Sequence, residues 1–198
     1  MNRKQQKQKL LNDLFFSYSS CLACPLGSLG RKNIVFGEGN PDAQLLFIGE
    51  APGQDEDIQK KPFIGRSGKL LTKVLETLGI IRSDVYITNI VKCRPPQNRK
   101  PFPLEASTCK QLLLNRQIEI IQPIIICTLG AAALQGLLND YSLQISKLRG
   151  SFFSFGDYTI VPTYHPAYIL RNPKKLSKIV DDISLAHQLS LSEYKNNL

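Results

Sequence analysis

No unbroken apolar run in this chain approaches the ~18 positions that a membrane-spanning helix requires. The opening residues, Met1 to Lys9, are polar and basic where a secretion signal would carry an apolar core, so neither a membrane span nor export is expected. Histidine occurs only twice. Acidic residues are few: 16 Asp and Glu stand against 25 Lys and Arg, a net charge of +9 that favours a polyanionic partner. Neither G-x-x-x-x-G-K-[ST] nor G-x-G-x-x-G follows a strand-like run, which argues against phosphate cradling of the nucleotide-binding kind. Internal repeats, low-complexity tracts and linkers are also missing. With 42% hydrophobic and 21% charged content in 198 residues, one globular domain over 1–198 is expected.

The cations collect in Arg3 to Lys9, Lys92 to Lys110 and Arg171 to Lys178, and each run taken singly reads equally well as a solvated face. Acids group at Asp55-Glu56-Asp57, and a local acidic cluster in a basic chain suggests a site. A cytoplasmic location is expected. In that reducing compartment structural disulfides are disfavoured, so the five cysteines point toward metal binding. Four of them, Cys21 and Cys24 in a C-x2-C and Cys93 and Cys109 far downstream, fall in loops around an apolar core. The fifth, Cys127, lies within Ile124-Ile125-Ile126-Cys127 and reads as a small buried hydrophobe.

Apolar runs of strand length occur at Leu45 to Ile48, Val85 to Asn89, Ile124 to Thr128 and Tyr158 to Pro162. Between and after them, Gly68 to Leu78, Leu104 to Ile121 and Leu176 to Leu189 carry apolar residues at helical spacing. Alternating strands and helices predict an α/β domain whose parallel sheet is covered on both faces. Residues 1–20 read as a helix leading to the first cysteine pair, and 190–198 as a frayed polar tail.

Three loops follow strands at their carboxyl ends, where open α/β sheets place ligands. Gly49-Glu50-Ala51-Pro52-Gly53 is a tight turn that holds a carboxylate at the mouth of the sheet. Asn89 to Pro101 combines a strand-end amide, Cys93 and four cations. The Asn89 amide presents a donor and an acceptor, suited to a planar edge or to capping backbone. Thr163 to Arg171 holds His165, an apolar pair and a cation, whereas His187 sits within a helical pattern and reads as structural.

The ordered motifs Cys21-Leu22-Ala23-Cys24-Pro25-Leu26-Gly27, Gly49-Glu50-Ala51-Pro52-Gly53 with Glu56-Asp57, Lys61-Pro62-Phe63-Ile64-Gly65, Tyr86 to Pro96, Cys109 and His165-Pro166-Ala167-Tyr168 carry a resemblance. Over Cys21 to Asn172 the chain resembles family 4 uracil-DNA glycosylases, the thermostable-type branch with an iron-sulfur cluster. The resemblance implies a three-layer α/β/α domain with a central four-stranded parallel sheet. It further implies a monofunctional glycosylase that flips uracil out of DNA and hydrolyses its N-glycosidic bond, the first step of base excision repair. A catalytically silent iron-sulfur DNA-binding protein, or a glycosylase for another deaminated base, is the alternative.

By that likeness Cys21, Cys24, Cys93 and Cys109 hold a structural [4Fe-4S] cluster, although spacing alone does not choose the metal and zinc is the competitor. Phe63 would stack on the extruded base, Asn89 would read its edge, and the Ala51 amide would contact it. Glu56 would crowd a 5-methyl group, cap a helix or form a salt bridge. His165 would stabilise charge on the base oxygen, as a neutral donor or as an imidazolium. Glu50 would position or deprotonate water, or stabilise the cationic sugar. Phosphates would be met by Lys92, Arg94, Arg99, Lys100, Arg171 and Lys174, with Leu170, beside Ile169, as the wedge in the opened stack. The expected partner is uracil-containing DNA, met by a monomer; a sliding-clamp contact is not specified by the sequence. Glu50 separates the chain from the sister iron-sulfur branch, which lacks an ionisable group there.

Overall fold

Asn2 opens the first helix of the computed structural model, which describes the backbone of residues 1–196 and the side chains of 1–192. Its side chain accepts from the Gln5 amide while the Gln5 side chain accepts from the Asn2 amide, a capping box that starts α1 (Arg3–Ser17). One member of the basic N-terminal run is not solvated. Lys7 is buried, with its ammonium on Asp42 at 2.6 Å and on the Ile121 carbonyl at 2.7 Å.

The strands are β1 (Glu38–Gly39), β2 (Leu45–Gly49), β3 (Tyr86–Asn89), β4 (Ile125–Leu129), β5 (Phe153–Phe155) and β6 (Tyr158–Thr163), hydrogen-bonded in the order β1-β3-β2-β4-β6-β5. The four expected strands make the parallel centre, β3-β2-β4-β6. Two short antiparallel edge strands, β1 and β5, extend it to six, so the sheet is mixed rather than purely parallel.

The helices are α2 (Gln54–Gln59), α3 (Arg66–Thr77), α4 (Pro103–Cys109), α5 (Asn115–Ile121), α6 (Ala131–Leu138), α7 (Ile145–Leu148), α8 (Pro166–Arg171) and α9 (Leu176–Asn196). A π-helical stretch, Lys110–Leu114, joins α4 to α5 directly after Cys109. The tail expected from residue 190 instead continues α9 to Asn196; positions 197–198 lie outside the described residues. No described helix is long and apolar enough to cross a membrane.

Because the central strands are buried on both faces, their side chains alternate between two cores. Leu46, Ile48 and Ile126 pack with Leu114, Ile118 and Leu134 on one side. Phe47, Ile87 and Cys127 pack with Leu71, Leu75 and Ile183 on the other. The three-layer α/β/α arrangement follows. From β2 the chain reaches β3 through α3 on one face, then crosses back to β4 through α4 and α5 on the other. The loops leaving β2 and β4 therefore part in opposite directions and open a crevice at their carboxyl ends. At the far side of that crevice, buried Asp182 of α9 accepts from the Thr163 hydroxyl at 2.7 Å and pairs with Arg149, fixing the end of β6.

Candidate active site and cysteine centre

The crevice is a cleft of about 510 Å³ whose lining includes Glu50, Phe63, Asn89, His165, Tyr168 and Arg171. Gly49 pairs with Asn89 across β2 and β3, and the ladder continues as Ile90 and Val91 donate to the Gly49 and Glu50 carbonyls at 2.9 and 3.2 Å. Glu50 is thus held beside Asn89 by backbone alone. A Cβ on Gly49 would stand 2.4 Å from the Phe63 ring and 2.5 Å from Asn89 Oδ1, so the missing side chain is part of the cleft floor. We expect Gly49→Ala to leave the protein folded, as a thermal melt checks, but to displace the Phe63 ring and Asn89 amide, reducing turnover in this cleft at least ~10-fold in a single-turnover assay.

Phe63 itself is 5% exposed and adopts φ 52°, a left-handed conformation that a bulky residue rarely takes. Gly68 permits it: a Cβ there would lie 1.9 Å from the Phe63 carbonyl. The ring centroid stands 5.8 Å from that of His165, the planes inclined at 35°. Glu56 holds this loop, its carboxylate accepting from Ile64 at 3.0 Å and Gly65 at 2.9 Å and, through the other oxygen, from Gly53 at 3.1 Å. Of the three roles expected for Glu56, the structure provides the helix cap, since both oxygens are bound to backbone amides. Asp57 likewise accepts from Lys32 and Asn33. Glu56 and Asp57 thus each clamp a loop through backbone amides.

Asn89 is 1% exposed, and its Oδ1 is a buried acceptor without a hydrogen-bond partner among the described residues. Such an orphan costs about 1–3 kcal/mol unless something donates to it. His165 is the N-cap of α8, and its Nδ1 accepts from the Ala167 amide at 3.0 Å. If neutral, the ring then carries its proton on Nε2. Withdrawal from water, assisted by the Arg171 charge, pushes the His165 pKa down to about 4, so the imidazole is neutral at pH 7. Of the two protonation states considered for His165, burial favours the neutral one. Burial has the opposite effect on Glu50, raising its carboxyl above the usual range against a smaller opposing influence of Lys100.

Four thiols line a second, small cavity: Cys21 and Cys24 after α1, Cys93 after β3 and Cys109 at the end of α4. Ile34, Leu112 and Leu113 are among the other lining residues, as are Arg31 and Lys92, and no carboxylate is. Arg31 donates to Cys93 Sγ at 3.1 Å and to the Cys21 carbonyl at 2.7 Å. Burial raises the thiols of Cys24 and Cys93 and takes that of Cys109 to about 12, so they are protonated unless a metal holds them as thiolates. Among the described residues no three Cys, His, Asp or Glu side chains converge as ligands of a single ion. Cys127 is fully buried in β4, as its apolar run predicts.

Residues 36–184 match the family model described as Uracil DNA glycosylase superfamily. The chain belongs to this superfamily. Among curated relatives, the type-4 uracil-DNA glycosylase of Thermotoga maritima is 46% identical over 183 residues, covering 91% of this chain and 94% of the relative. That of Saccharolobus solfataricus is 47% identical over 170 residues, covering 82% and 77%. That of Archaeoglobus fulgidus is 39% identical over 186 residues, covering 90% and 92%.

In this member of the superfamily the expected DNA-facing residues divide. Arg171, Lys174 and Lys100 are exposed, and Leu170 is 39% exposed on α8. Arg94 is half-buried and bonded to Asn98 at 2.7 Å. Arg99 lines the cleft but spends its fork on Glu105, at 2.7 and 2.8 Å, and lies over the Phe102 ring. Lys92 is a correction. It is 0% exposed and donates to Thr88 Oγ1 and the Asn89 carbonyl, so it touches no phosphate; a cation next to a strand-end loop looked solvated but follows β3 inward. Sequence reasoning also missed Ser67 and Asn98 in the cleft and Arg31 at the cysteines. For Arg31 no signal existed beyond a cation between Cys24 and β1.

Proposed function

We propose that the protein is a monofunctional uracil-DNA glycosylase, and the orphaned Oδ1 of Asn89 in a cleft shared with Glu50 and His165 carries the proposal. Uracil offers a ring N–H flanked by carbonyls. The N–H satisfies Oδ1, and the Asn89 amide nitrogen can donate to the adjacent carbonyl, whereas cytosine presents the opposite pattern. Phe63 supplies the face on which an extruded base can lie.

Cleavage leaves negative charge on the base and an electron-poor sugar. The neutral His165, donating from Nε2, favours charge growth on the base oxygen without a proton leaving the ring. The Glu50 carboxylate, partnerless among the described residues, suits water positioning or stabilisation of the sugar cation. Arg94, Lys100, Arg171 and Lys174 are the cations available to phosphates, with Leu170 available to fill the vacated stack. Single-turnover release of uracil from a duplex with one U opposite G tests the reading, with Glu50→Ala beside the native chain. Release by the native protein and its loss in the variant support it; a loaded protein that binds the duplex yet leaves uracil attached, or releases hypoxanthine instead, refutes it.

The pH dependence has a defined sign. As pH falls, Glu50, raised above its ordinary carboxyl range, protonates before His165 at about 4. The acidic limb of the single-turnover rate therefore belongs to Glu50, and Glu50→Gln is expected to flatten it in the residual activity.

We infer that Cys21, Cys24, Cys93 and Cys109 would hold a [4Fe-4S] cluster, a reading supported by all four lining one cavity. A single zinc needs all four sulfurs about 2.3 Å from one point, whereas a cluster would take one thiolate on each iron, and among the described residues no three metal-ligating side chains converge on one ion. Such a cluster would supply a covalent staple between the N-terminal segment, the loop after β3 and α4.

A further inference from the structure

Lys92 is the longest fully buried cationic side chain in the described core, and no carboxylate pairs with it among the described residues. Its ammonium donates to Thr88 Oγ1 at 2.6 Å and to the Asn89 carbonyl at 2.7 Å. The next residue is Cys93, and Lys92 lines the cysteine cavity together with Cys21, Cys24, Cys93 and Cys109. A buried charge is tolerated only when something compensates it. Cys93 and Cys109 line the same cavity as Lys92, and both would carry negative charge once they ligate a metal.

We propose that Lys92 is a positioning residue that ties the base-reading end of β3 to the cysteine centre. Loading the centre supplies the negative charge that holds the ammonium in place. The ammonium in turn fixes the Asn89 carbonyl, and with it the Ile90 and Val91 amides bonded to the Gly49 and Glu50 carbonyls. One side chain then joins the metal site to both the reader of the base and the backbone of Glu50. The proposal rests on the cofactor reading given above.

Hydrogen exchange at Ile90 and Val91 reads the tie without requiring activity. Native loaded protein, native protein stripped by a chelator, and loaded Lys92→Met are compared, with iron per chain measured in each. Stripping and Lys92→Met are both expected to accelerate exchange at these two amides by about 10-fold or more. With iron retained, Lys92→Met should also lower kcat for uracil release more than it raises KM, which a merely structural loss would not single out. Native exchange in iron-loaded Lys92→Met overturns the proposal. If that variant does not fold, the loaded and stripped native proteins decide: unchanged exchange at Ile90 and Val91 overturns the tie while leaving the cluster reading intact. A freshly purified native chain that binds no iron overturns both.

Discussion

His165→Ala is expected to slow single-turnover release of uracil by about 10²–10³-fold, the loss that follows removal of one preorganised donor to a developing oxyanion. The ring performs two tasks through two nitrogens. Nδ1 caps α8 by accepting from Ala167, which directs the proton to Nε2 and toward the cleft. Losing the cap costs about 0.5–2 kcal/mol of stability in its own right. His165→Asn separates the two, because asparagine is a good N-cap but is too short to bring a donor where Nε2 stands. The melting temperature should recover toward native in His165→Asn while the rate stays low. An asparagine protein with a native rate would remove His165 from the chemistry and leave it a helix cap.

Asn89→Asp should be at least as damaging and more informative about recognition. The exchange removes the N–H donor, sets a carboxylate against a uracil carbonyl, and leaves the ring N–H as the single favourable partner. With about 1–3 kcal/mol at stake for each mispaired group, uracil release falls by ~10²–10⁴-fold. The same carboxylate accepts from the amino group of cytosine, so the ratio of cytosine to uracil release should rise even if both rates are small. Asn89→Ala controls for the buried charge, removing both contacts without adding one. Unchanged uracil and cytosine rates in the aspartate protein would mean that another group reads the base.

The central fold was legible because the inner strands are short, mostly apolar runs sealed on both faces, a pattern that needs no partner to be seen. The edge strands were not. Glu38–Gly39 and Phe153–Phe155 are too short to carry a period, and they become strands only through register with β3 and β6. Among the site residues, those that follow strands at their carboxyl ends could be placed from topology: Glu50, Asn89 and His165 all line one cleft. Charges misled where burial reversed their meaning. Lys92 lies in a cationic stretch yet turns into the core, and Asp55-Glu56-Asp57 resembled a ligand site although Glu56 and Asp57 bind backbone amides. Composition does not tell a carboxylate facing water from one enclosed by N–H groups. That distinction appears only when the Phe63 loop folds back over α3.

The contact between Asp182 and Thr163 bears on how the protein comes into being on the ribosome. Every residue assigned to base recognition and cleavage precedes α9, but the carboxylate that fixes the end of β6, two residues before His165, belongs to that last helix. A nascent chain halted before α9 would hold the full set of chemical groups without the brace that aligns one of them. The alignment of His165 for base excision therefore depends on α9 being docked against the end of β6.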